Sequence, residues 1–109
     1  MIIEQFINEK ITQMSAYINA VIKQTLHYTE LDQFIVDTMT EWAYLNVTDE
    51  TPNTAKERVF WHLIHQVSLH GGQALQQDLF FKSEINICID FFNGTGSYPI
   101  DCIGWRPIV

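Results

Sequence analysis

Three of the chain's four histidines fall between Glu57 and Gly72, and no other stretch gathers as many residues able to do chemistry. His62, His65 and His70 could each bind a metal or move a proton. His62 and His65 are three apart, which makes them neighbours on one helix face. His70 lies five beyond His65 and is rotated from it by about 140°. Three ligands at these spacings cannot converge on one ion from a single helix. A metal site would need His27, or a carboxylate, from another element. Glu57, five residues before His62, is poorly placed for this. The metal candidates are therefore His62, His65, His70 and His27, with a divalent ion as cofactor. The plainer expectation is no cofactor, with partly exposed histidines on a helix that also carries Arg58 and Trp61.

No activated nucleophile stands out, and no catalytic residue is assigned. Ser15, Ser68, Ser83 and Ser97 sit in no nucleophile elbow. Cys102 follows Asp101, and an adjacent carboxylate raises a thiol pKa. Gly94-Thr95-Gly96 lacks the Lys and the strand–helix context of a phosphate loop and reads as a turn.

The run from His62 to Gln73 resembles the late helix of the DinB-like metal-binding four-helix bundles. His70, Gly72 and Gln73 match that family's second histidine, glycine and glutamine. The first ligand position falls on Gln66, the basic position on Gly71, and only His27 is available as the histidine from an earlier helix. The resemblance spans about a dozen residues and implies a divalent metal in a helical bundle. Arg58 and His65 also resemble the Arg and His spacing of HEPN-type helical ribonucleases, with Val59 where a polar residue usually follows the arginine. That second resemblance implies phosphate stabilisation and proton transfer.

Charge points elsewhere. Thirteen acidic residues face six basic ones, a formal net of -7. Nucleic acid and anionic membrane surfaces are not expected as partners, because both need clustered Lys and Arg. From Thr29 to Glu50 there are six acids and no Lys or Arg. Asp37 and Glu41 are four apart, with Glu30 on the same stripe, at a cost of a few tenths of a kcal/mol in like-charge repulsion. Such a face either keeps the protein soluble or docks a basic protein by electrostatic steering. The candidate partner-binding residues are Glu30, Asp37 and Glu41. The expected function is a small binding or regulatory module working through protein–protein contact, with the histidine-based metal bundle as the alternative.

The elements that position these residues are helical. Ile7, Ile11, Met14, Ile18 and Val21 follow a 4-3-4-3 spacing. A helix from Ile2 to His27 would run roughly 39 Å. Its seam predicts either the longest helix of a bundle or a homodimer contact. Thr29 and Asp32 read as a capping pair that opens a second helix. Leu31, Phe34, Ile35, Met39 or Thr38, Trp42 and Leu45 form its apolar face. Thr51-Pro52 reads as the start of a third helix, which Gly71-Gly72 ends. Gln73 to Gln77 can continue helically. Ser83 to Gly94 fits either a helix capped by Ser83 or a strand; the lack of a second strand favours helix. The tail from Ser97, with two prolines and a glycine, reads as an extended segment anchored by Tyr98, Ile103 and Trp105.

The expected fold is all-α, a small four-helix bundle with an extended C-terminal tail. The alternative is α+β with a short strand or hairpin near 84–100. At 109 residues the chain is read as one domain, 1–109, able to bury roughly two thirds of its unfolded surface. Met1 to Phe6 has neither the basic region nor the apolar run of a signal peptide. Cys88 and Cys102 form no metal-type pair and read as reduced thiols. A cytoplasmic location is expected.

Overall fold

The computed structural model describes residues 2–102 and 104–107. Among them are five helices and no strand: α1 (Ile2–Ile22), α2 (Tyr28–Tyr44), α3 (Ala55–His70), α4 (Ala74–Gln77) and α5 (Leu79–Phe92). Four are long, and α4 is a single turn joining α3 to α5. Region 84–92 is helix, so the α+β alternative is set aside. No helix among the described residues is long and apolar enough to cross a membrane.

Helix α3 organises the bundle, because it packs on α1, α2 and α5. It accordingly buries more than one stripe: Val59, Phe60, Trp61, Leu63, Ile64 and Val67 are all fully buried. Trp61 is part of the core as well, edge-on to Trp42 at 5.0 Å and to Phe60 at 4.7 Å between ring centroids. The α1 seam of Ile7, Ile11, Met14, Ile18 and Val21 is buried in the chain's own core.

Four element boundaries differ from expectation, each through a cap. Helix α1 stops at Ile22, where Gln24 takes φ 62° and the Thr25 amide closes onto the Ala20 carbonyl. Helix α2 is capped by His27, whose Nδ1 accepts from the Thr29 amide at 3.3 Å, not by Thr29. Asp32 instead accepts the Gly72 amide at 2.7 Å, tying α2 to the end of α3. Helix α3 opens at Thr54, whose hydroxyl accepts the Glu57 amide at 3.0 Å, and Pro52 lies in the loop before it. Helix α5 opens at Asp78, which accepts from the amides of Phe80 and Phe81, so Ser83 lies inside the helix. The expected stop of α3 is present at Gly71, with φ 82° and ψ 151°. That is a region essentially confined to glycine.

Candidate docking surface and the residues around it

The acids of α2 stand on its outer face. Glu30, Asp37 and Glu41 are all exposed. Their exposure follows from spacing: Leu31, Phe34, Ile35, Thr38 and Trp42 point the other way, into the core. Asp37 accepts a hydrogen bond from Gln33 Nε2 at 2.9 Å, which orients the carboxylate and leaves its charge. Glu41 forms an ion pair with Lys10 of α1. The Glu41 charge is thus partly offset, and Glu30 and Asp37 carry most of the negative field of this face. Lys10 also lies 5.6 Å from the Phe34 ring centroid.

The histidines do not converge. His27 caps α2 and stacks on Tyr28 at 4.4 Å. The His65 Nε2 donates to the Trp105 carbonyl at 3.0 Å. His70 packs on the Phe81 ring at 4.7 Å. His62 faces a hollow of about 570 Å³ between α3, α5 and the tail, lined also by Gln66, Cys88, Tyr98 and Asp101. Among the described residues no three His, Cys, Asp or Glu side chains group as metal ligands would. Arg58 and His65 lie under the tail, whose Gly104 sits against the Arg58 carbonyl and the His62 amide.

Sequence reasoning missed the most constrained polar cluster. Glu57 and Arg106 are 2% and 4% exposed and form a buried ion pair. The guanidinium grips the carboxylate in a fork, Nε to Oε2 at 2.5 Å and a terminal nitrogen to Oε1 at 2.9 Å. The Trp61 indole donates to Oε2 and the Asn53 amide to Oε1, both at 3.0 Å. Each carboxylate oxygen therefore accepts two N–H donors. Burial pushes the Glu57 carboxyl up, but the donors from Arg106, Asn53 and Trp61 outweigh it and hold it below its ordinary value of 4.5. The Glu57 carboxylate in turn raises the Arg106 guanidinium above its ordinary range. Arg106 also reaches the Asp49 carbonyl at 3.0 Å and lies 5.5 Å from the Trp42 ring centroid. Thr54 and Glu57 have the spacing of a capping box, which marks the helix start but not the distant Arg106; the Glu57 carboxylate accepts the Asn53 amide.

Arg106 is the buried side chain that anchors the tail, while Tyr98 keeps an edge-on contact with Phe91 at 5.5 Å. Tyr98 and Trp105 are 40% and 50% exposed, while Pro99, Gly104 and Arg106 are buried. Ile103 lies outside the described residues. Cys88 and Cys102 form no disulfide with each other, and the Cys102 thiol donates to the Arg58 carbonyl at 3.9 Å. Burial pushes Cys88 up to about 12 and raises Cys102 as well. Neither is primed as a nucleophile.

Comparison of the chain with protein-family models, curated proteins and solved structures finds no match in any of the three.

Proposed function

We propose that this protein is a binding module that engages a basic protein partner through the outer face of α2, with Glu30 and Asp37 at the contact and Glu41 at its edge. One observation carries the reading: between Lys23 and Lys56 the chain holds no Lys or Arg, so the acids of α2 have no cationic neighbour in their own segment. A contiguous negative face raises the encounter rate with a positive partner, and the effect weakens with salt. Lys10, from another helix, offsets Glu41 alone. The reading includes a cytoplasmic setting, with which two thiols outside any disulfide are consistent. The histidines give the metal reading no comparable support, because His27, His65 and His70 are engaged in separate places.

The test is binding of an unstructured Lys-rich peptide to three proteins: native, Glu30→Lys with Asp37→Lys, and Glu4→Lys with Glu9→Lys. The last pair changes net charge equally on a different helix. Native and control proteins should bind at about 50 mM salt and lose affinity on raising salt, as the screening length shortens. The α2 variant should lose at least about tenfold, or about 1.4 kcal/mol. Equal binding by all three proteins, or none by the native one, overturns the reading.

A further inference from the structure

The outer face of α2 has two edges of different chemistry. At 100° per residue, Glu30, Asp37 and Glu41 cluster on one edge, and Val36, Met39 and Ala43 on the other. Tyr44 and Thr40 lie between them. Val36 is 57% exposed and Tyr44 79%. Together with Met39, Thr40, Ala43 and Asn46 they line an open hollow of about 690 Å³. Exposed apolar residues beside a single-sign charged strip are common where a partner with both characters binds.

We propose that this face seats a basic amphipathic helix, its apolar side in the Val36–Tyr44 hollow and its Lys or Arg residues against Glu30 and Asp37. The inference rests on α2 being the docking surface and adds the chemistry of the partner. Charge selects this occupant. A second copy of the chain carries the same acids and a net -7, so a symmetric contact would oppose like charges. An anionic lipid surface or a nucleic acid meets the same repulsion. A basic disordered tail would satisfy the acids and leave Val36 and Tyr44 uncovered. A helix with a cationic face and an apolar face matches both edges, the helix-in-groove mode of recognition. It would lie along α2, whose 17 residues give a track of roughly 25 Å, about four to five turns.

Two synthetic peptides of about 17 residues, matched to that track, decide it. One places Leu and Lys with helical period; the other scrambles the same composition. Both are titrated by calorimetry at about 50 mM salt. The periodic peptide should bind the native protein about tenfold more tightly or better. Val36→Ser with Tyr44→Ser should remove that advantage and leave the scrambled peptide's affinity unchanged; both positions are exposed, so circular dichroism should show an intact fold. Glu30→Lys with Asp37→Lys should weaken both peptides. Equal affinity of the two peptides for the native protein, with no effect of the serine variant, overturns the helix inference and leaves acidic docking standing. No response of either peptide to the lysine variant overturns both.

Discussion

Arg106 reaches back 49 residues along the chain to grip Glu57, and the pair is closed off from solvent. The contact fastens the tail to the start of α3 and, through the Asp49 and Glu50 carbonyls, to the loop before it. A buried pair of this kind contributes little net stability against an apolar pair of equal shape, yet removing one partner strands a charge.

Arg106→Ala or Glu57→Ala alone should therefore cost about 3–5 kcal/mol. Glu57→Leu with Arg106→Met should cost far less than the sum of the single losses, because no charge is left buried. Trp105→Ala, at a half-exposed position, should cost under about 1 kcal/mol. Urea denaturation of these variants as a double-mutant cycle checks the claim. Additive losses across the pair would refute it.

Much of the architecture is visible in the residue pattern. The seam of α1, the inward face of α2 and the glycine stop of α3 are periodicity and backbone chemistry, and all three are present. The helix starts were less legible. His27 is not among the usual capping residues, and Asp32 is drawn away from its local cap by the Gly72 amide. Glu57 was the harder case. A glutamate near a helix start normally faces water, and only the return of Arg106 from the far end of the chain makes its burial affordable. Long-range pairing of that sort leaves no local trace. The acidic stripe of α2 was legible because exposure needs only helical spacing, whereas the Lys10 partner of Glu41 lies on another helix.

The same pair sets the response to acid. The folded pKa of Glu57 is below its unfolded value of 4.5, so the unfolded state binds the proton more readily. The stability from this group is complete above that value and is lost as pH falls through the lower folded pKa. Arg106, raised by its hydrogen bond to Glu57, stays charged across this acid range. Urea midpoints should thus hold steady for this pair from neutrality to about pH 5 and drop below about pH 4.5. Glu57→Gln should start less stable and show a shallower acid slope than the native chain. Parallel slopes would mean the carboxyl does not titrate with unfolding.

Gly104 is the position where the tail passes closest to α3. A Cβ there would fall 1.8 Å from the Arg58 carbonyl oxygen and 2.9 Å from the His62 amide nitrogen. Both obstacles are helix backbone and cannot rotate aside. Gly104→Ala should lift the tail locally, at a cost of at least about 1–3 kcal/mol. Hydrogen exchange should show the Arg106 amide, bonded to the Glu50 carbonyl at 3.3 Å, losing protection ahead of α1 amides. Unchanged protection at Arg106 would show that the tail does not need this close approach.

Thr38 offers the opposite kind of test, a substitution expected to stabilise. It sits on the inward face of α2 at 0% exposure, and its Oγ1 has no hydrogen-bond partner among the described residues. A buried hydroxyl without a partner costs roughly 1–3 kcal/mol by mutational measures. Valine has nearly the same shape, keeps the branch at Cβ and removes the polar atom. Thr38→Val should therefore raise stability by about 1 kcal/mol, with the urea midpoint shifted up and the slope unchanged. A loss above about 0.5 kcal/mol would mean that the hydroxyl does bond in solution, for instance to the Phe34 carbonyl one turn earlier. In that event the inward face of α2 would hold a satisfied polar contact rather than a dry apolar seam.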